Sequence, residues 1–507
     1  MLLQDASEIW ALVRSLKNSL APVNQIPSDV LSLLPDYCNR EDCADKFLIN
    51  CTHVCRSWRE ILISRSSLWT NLTFRDVKKT RTYIQRSKSC PLNFFIKDSE
   101  CIADFDDAFP LVIPHIHRLR SLGIDGDVSP DVLSHFRCPT PLLEKLDIYF
   151  ESLDPDSSDS PRFGSALFNG ELPSLRELSL SGVITDLAWK NMGNLTVFTL
   201  SDTEAYEDYE AHKVTVTQIL DFFESHPFLQ RIELENPTHN SSDAPPGRIV
   251  PLRHLKTLDL CTYPPISAIL NHLHIPTGAS LKLWDSVKCK EFSPLDYLPD
   301  KSPNFENLSH ITMVNLCFAS GVKAVRLGGP SGSLRLECGL EDRGIVLPAT
   351  RPIGPPRLPS IQRLAVSEYF HHPRAGVEEC PIFQTLSSLD TLRTLVLSNC
   401  NNLTFILALN PDKNKSALVP CPNLEELVLF IPEHSHSKCD GDLVDMTRSR
   451  DSRGAKLSSI MIIGPLEPME VVSKLEERVA HVEYKYSRSP PLWDDVPDEH
   501  RRVFGES

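Results

Sequence analysis

The chain has no uninterrupted apolar run of about eighteen residues, so no segment is expected to cross a membrane. Its opening, MLLQDASEIWALVRSLKNSL, lacks a basic leader and carries Asp5 and Glu8 among its apolar residues, which argues against a secretory signal. Glycine is scarce, with 20 residues against 40 prolines in 507. That balance favours short elements joined by stiff connections over a few long helices. The 15 cysteines are odd in number and show no framework spacing. Reduced thiols in the cytoplasm, the nucleus or both are expected. In such a compartment sequons such as those at Asn71, Asn194, Asn240, Asn307, Asn402 and Asn414 are expected to be chance matches.

Catalytic patterns are missing as well. There is no G-x-S-x-G, and GGPSGS lacks the Lys-Ser/Thr that a phosphate loop needs. Cys38, Cys43, Cys51 and Cys55 are not spaced as two C-x-x-C knuckles and read as free thiols. His434, His436, Cys439 and Asp440 make a looser metal candidate on an expected loop, and His371-His372 a weaker one. Paired carboxylates appear throughout, as in DSSDSP and AYEDYEAH, and acidic loops do this without catalysing anything. No enzyme activity, metal or cofactor is expected.

The net charge is −15, yet residues 53–90 hold nine Lys/Arg against Glu60 and Asp76. An acidic body argues against general nucleic-acid binding, which needs clustered cations for phosphate. The basic stretch is either a solvated surface or a face for an acidic protein.

What the chain has in quantity is one hexamer, L-x-x-L-x-L. It reads LRSLGI at Leu119, LEKLDI at Leu143, LRELSL at Leu175, LTVFTL at Leu195, LQRIEL at Leu229 and LKTLDL at Leu255. It continues with LSHITM at Leu308, IQRLAV at Ile361, LRTLVL at Leu392, LEELVL at Leu424 and LSSIMI at Leu457. The last four begin 31, 32 and 33 residues apart. Each short strand buries alternate residues and cannot close a core alone, so neighbours must stack. Register is lost around 261–307, where SLKLWDS is a weak candidate, and around 322–338, where VKAVRLGGPSGSLRLEC reads as a β-hairpin. Both insertions are expected to leave the stack.

Ahead of the repeats, Ile9, Leu12, Val13, Leu16 and Leu20 have helical spacing. Pro22 stops that helix, and IPSDVLSLL starts another, with Pro27 suited to the first turn and Asp29 to the helix dipole. Val54, Trp58, Ile61 and Leu62 lie on one helical face.

The stretch from Ile26-Pro27, through Val54-Cys55-Arg56 and Trp58, to Leu68-Trp69 resembles the F-box. With the repeats, nearly the whole chain is similar to the F-box and leucine-rich-repeat proteins expanded in mushroom-forming fungi. The loop PDYCNREDCADKF departs from a compact F-box in length and cysteine content.

The resemblance implies a fold that is α, then α/β. A small three-helix F-box precedes an irregular leucine-rich-repeat solenoid, with a curved parallel sheet and helices or loops on its convex side. The expected layout is an amphipathic helix over 1–22, the F-box over 23–75, a linker with first repeat or cap over 76–118, repeats over 119–480 and a tail over 481–507.

It also implies a non-enzymatic substrate-recognition subunit of a Skp–cullin–F-box ubiquitin ligase. A Skp-type adaptor would bind the F-box and reach a cullin–RING ligase, while the repeats hold an unidentified target protein. Ile26, Pro27, Val30, Leu31, Leu48, Val54 and Leu62 are the expected adaptor-contacting or supporting residues, with Trp58 and Trp69 as the core of the segment. Lys145, Tyr149, Arg231, Glu233, Glu426 and Phe430 flank the buried strand positions and are the expected target-facing residues. The alternative is a leucine-rich-repeat interaction scaffold outside any ligase, its N-terminal helices merely capping the stack.

Overall fold

A computed structural model describes residues 9–33, 44–97, 102–126, 130–150, 162–164, 167–187, 192–201, 214–235, 244–261, 266–285, 308–319, 322–329, 332–339, 360–368, 386–398, 402–413, 419–431, 436–465 and 469–487, apart from single positions within some of these ranges. The fold is mixed helix and sheet, and its dominant feature is a large parallel sheet. Two compact units divide it, Met1–Lys213 and Val214–Ser507.

In the first unit, parallel strands run in chain order: β1 (Asn71–Thr73), β2 (Leu92–Lys97), β3 (Leu119–Asp125), β4 (Lys145–Tyr149), β5 (Glu177–Ser181) and β6 (Val197–Ser201). The hexamer explains the register. Its fourth and sixth residues are in line across strands, as in Leu122–Leu146–Leu178–Phe198 and Ile124–Ile148–Leu180–Leu200, and all eight are buried. The second residue of each unit also supplies a carbonyl to the next: Arg120 O accepts from Glu144 N, Glu144 O from Arg176 N, and Arg176 O from Thr196 N, each at 2.8 Å.

This ladder has one rung inside the stretch expected to hold a first repeat or cap, and one ahead of it. Leu72 pairs with Phe94, and Phe94 with Leu122, so WTNLTF and PLNFFI are two further rungs. Phe and Trp stand where the hexamer has Leu, which hides both from a leucine pattern.

In the second unit the strands are β7 (Arg231–Glu235), β8 (Thr257–Cys261), β9 (Ser280–Asp285), β10 (Met313–Ala319), β11 (Val322–Gly329), β12 (Gly332–Gly339), β13 (Arg363–Glu368), β14 (Thr394–Ser398), β15 (Glu426–Phe430), β16 (Ser459–Gly464) and β17 (His481–Tyr486). Their lateral order is β7-β8-β9-β12-β11-β10-β13-β14-β15-β16-β17. The β11–β12 hairpin is present, but it does not leave the stack. It is laid into the sheet between β9 and β10, antiparallel within itself and to β10 and parallel to β9 at β12. Leu334 and Leu327 continue the buried row from Leu281 to Val314, which gives the insertion its place.

Two other expectations shift. The rung assigned to LSHITM is three residues later, as ITMVNL: Val314 pairs with Leu364, and Gln362 N donates to Thr312 O at 2.8 Å, matching Arg393 N to Gln362 O. Ile311 and Leu308 are both buried, so the sequence offers two leucine-like starts. At the far end the ladder continues past residue 480, because Ile460 and Ile462 pair with Val482 and Tyr484 of β17.

Helices are set between the strands. Val216–Ser225 begins on a capping box, Thr215 with Gln218, and buries Ile219, Leu220, Phe222 and Phe223. Its apolar side chains supply a second layer beneath the sheet that no single rung could bury alone.

Candidate functional site

Two surfaces follow from this framework, the N-terminal helical segment and the solvent-facing side of the strands. The segment comprises α1 (Ser28–Leu31), α2 (Ala44–Thr52) and α3 (Arg56–Ser64), followed by a 3-10 turn over Ser66–Trp69. The helix expected from IPSDVLSLL is a single turn within the described residues, and most of the loop after it lies outside them. Cys55 caps α3, its Sγ accepting from Trp58 N at 3.5 Å. Asn24 ties the preceding chain to that cap: its Nδ2 donates to Asn18 O at 2.5 Å, and its Oδ1 accepts from Cys55 Sγ at 3.7 Å.

The expected adaptor residues fall into two groups. Leu31, Leu48 and Leu62 are buried, as are Cys51, Trp58 and Trp69. Val30 and Val54 are 46% and 51% exposed, Pro27 is exposed and Ile26 half-buried. The adjacent Val23, Leu33 and Ile49 are exposed too.

Trp69 closes the segment and opens the sheet. Its Nε1 donates to Leu62 O at 2.9 Å, its ring meets Tyr83 edge-on at 5.0 Å, and the Arg86 guanidinium sits over it at 4.2 Å. Tyr83 and Arg86 belong to α4 (Val77–Ser87), whose N-terminus is capped by Asp76. The expected pairing of Trp58 with Trp69 as core aromatics therefore divides: Trp58 is inside the helices, whereas Trp69 is packed on α4.

The strand face is polar in the first unit and organised across rungs. Lys145 reaches Glu177 at 3.6 Å, Lys97 reaches Asp125 at 3.4 Å, and Arg120 reaches Glu144 at 3.0 Å. These exposed pairs fix little energy individually. Tyr149 is exposed beside them. Sequence reasoning missed Phe95, which is exposed and lies across the neighbouring strand, where a side chain on Gly123 would strike its ring. The fifth position of PLNFFI would have flagged it had that rung been recognised.

In the second unit Arg231 and Glu233 are exposed, as expected. Glu233 is directly opposite Asp259, which in turn holds Lys282 at 3.1 Å. Partial burial and then the Asp259 charge raise the Glu233 carboxyl above its ordinary pKa. Trp284, two residues along from Lys282, is an exposed aromatic that the lost register concealed.

Glu426 is half-buried and accepts from Thr394 Oγ1 at 3.0 Å. Phe430 is a correction: it is buried, not target-facing. Its carbonyl accepts from the buried Asn402 Nδ2 at 2.9 Å, and its neighbours Val396, Ser398 and Ile463 are buried as well. β14 buries four successive residues, Leu395 to Ser398, so its burial does not alternate as in the first unit.

Among the described residues no group of three or more His, Cys, Asp or Glu is placed to hold a metal ion. Cys51 is buried and Cys55 serves as a cap. Cys38, Cys43, His371, His372 and His434 lie outside the described residues, as do the side chains of His436 and Cys439. No described helix is long and apolar enough to cross a membrane.

Comparison of the chain with protein-family models and with curated proteins gives no match.

Proposed function

We propose that the chain is the substrate-recognition subunit of a Skp–cullin–F-box ubiquitin ligase, docking a Skp-type adaptor through its N-terminal helices. The recurring rungs are read as leucine-rich repeats that present a target-binding face. The observation that carries this reading is the division of the helical segment. Leu31, Leu48 and Leu62 are buried while Val30 and Val54, in the same helices or at their ends, face solvent. The short helices bury some of their aliphatic side chains and leave others uncovered, and a partner that covers those gains the hydrophobic free energy.

The scaffold alternative requires Val30, Leu31 and Val54 to be packed against the first rungs. Only Leu31 is buried, which favours the adaptor reading. Target contacts are assigned to the exposed rung positions, Lys145, Tyr149, Arg231 and Glu233, with Phe95 and Trp284 added and Phe430 withdrawn.

The test is co-purification of a Skp-type adaptor with the full-length chain and with its Val30→Glu/Val54→Glu variant. Both positions are exposed, so the variant is expected to fold as the parent does. Loss of the adaptor from the variant supports the reading. Equal recovery with both chains contradicts it.

A further inference from the structure

The N-terminal helix lies outside the segment just assigned to the adaptor, and its apolar face is uncovered. Residues 9, 10, 12–14 and 16–18 are helical. Ile9, Val13, Leu16 and Leu20 recur at steps of four, three and four, which puts them along one stripe. Leu12 flanks that stripe, and with Trp10 all six side chains are 53–73% exposed. Arg14 and Lys17 border the stripe on its Trp10 side and are exposed.

This helix is fastened beside the proposed docking segment. Asn18, at its end, accepts from Asn24 Nδ2, and Asn24 Oδ1 accepts from the Cys55 thiol that caps α3. One asparagine thus links the uncovered helix to the helix whose entry carries Val54.

Area decides what kind of occupant fits. An aliphatic side chain offers roughly 60–120 Å² of apolar surface. Val23, Val30, Leu33, Ile49 and Val54, each about half exposed or less, then supply roughly 140–270 Å². A stable, specific interface needs roughly 800 Å² per partner. The six side chains of the N-terminal helix add roughly 400–500 Å² and bring the total near that value.

A second copy is a poorer occupant. Self-pairing through this helix would leave Val30 and Val54 uncovered. We infer that residues 9–20 are a second docking element for the same adaptor, laid into an apolar groove on it with carboxylates at the rim facing Arg14 and Lys17. The inference rests on the adaptor reading given under Proposed function.

The test measures the affinity of a purified Skp-type adaptor for the full-length chain, its Leu12→Glu/Leu20→Glu variant and its Val54→Glu variant, with thermal unfolding as the folding control. The expected result is binding by the parent and a loss of about tenfold or more in the helix variant at unchanged unfolding temperature. Unchanged affinity in the helix variant, with binding lost on Val54→Glu, overturns the inference and leaves the adaptor reading standing. No binding by the parent overturns both. A parent dimer that the helix variant makes monomeric, or parent binding to anionic vesicles that the variant loses, with adaptor affinity unchanged, assigns the helix to another occupant and overturns the inference.

Discussion

The Trp69 indole donates to the Leu62 carbonyl at 2.9 Å, joining the last turn of α3 to the first rung of the sheet. Both residues are buried, so neither group can turn to water. Trp69→Phe keeps the ring packed on Tyr83 but leaves the Leu62 carbonyl without this donor. It should cost roughly 1–3 kcal/mol, and Trp69→Ala roughly 3–5 kcal/mol with its cavity. Urea denaturation checks the order. Equal stability of Trp69→Phe and the parent would mean the bond contributes nothing.

At the other end of the chain, Arg450 is fully buried at the end of helix His436–Ser452 and serves as a donor to a turn. Its Nη1 donates to Pro420 O at 2.6 Å and its Nη2 to Cys421 O at 2.8 Å. Cys421 holds a left-handed φ of 44° and donates from Sγ to Leu386 O at 3.1 Å. Burial pushes its thiol pKa up to about 12, keeping it a protonated donor. Arg450→Met strips both carbonyls of their donors and should cost roughly 2–5 kcal/mol in denaturant unfolding. Arg450→Lys should recover only part of this, since one ammonium cannot reproduce the planar fork. Full recovery by lysine would show that charge alone matters.

His226 gives the second unit a pH dependence. Its Nδ1 is 2.7 Å from Phe222 O, and its Nε2 is buried with no hydrogen-bond partner among the described residues. The fitting tautomer is therefore neutral with the proton on Nδ1. Burial lowers the pKa below the ordinary 6.5, partly offset by the bond to Phe222. Because the folded value is the lower one, the unfolded chain binds more protons in the window between them. Stability is then full above about pH 6.5 and declines as pH falls toward the folded value. Thermal unfolding between pH 7.5 and 5 should show that decline, and His226→Gln should flatten it. An unchanged slope in the variant would assign the decline to other groups.

The sheet was largely legible because its signal is local and repeated. KLDIY and RIELE alternate cleanly, and their even positions are buried as the pattern requires. What was missed lay where chemistry replaced leucine without changing geometry. WTNLTF and PLNFFI use aromatics, ITMVNL begins three residues after a competing leucine, and VAHVEY ends on tyrosine. The hairpin's place in the sheet depends on a non-local match between Leu281 and Leu334, which spacing along the chain cannot report. The helical segment was legible as a pattern of apolar residues but not as a division into inside and outside. Val30 and Leu31 are adjacent and similar in chemistry, yet one faces solvent and the other is enclosed. Likewise Phe430 and Tyr149 occupy the same rung position, yet the first is buried and the second exposed.

The account depends most on the exposed aliphatic side chains of the helical segment being a docking face. The direct measurement is the affinity of the full-length chain for a purified Skp-type adaptor, set against the Val54→Glu variant. A saturable one-to-one complex with the parent, weakened at least about tenfold by the substitution at unchanged thermal stability, is the predicted result. No complex with the parent, or equal affinity for parent and variant, would contradict it.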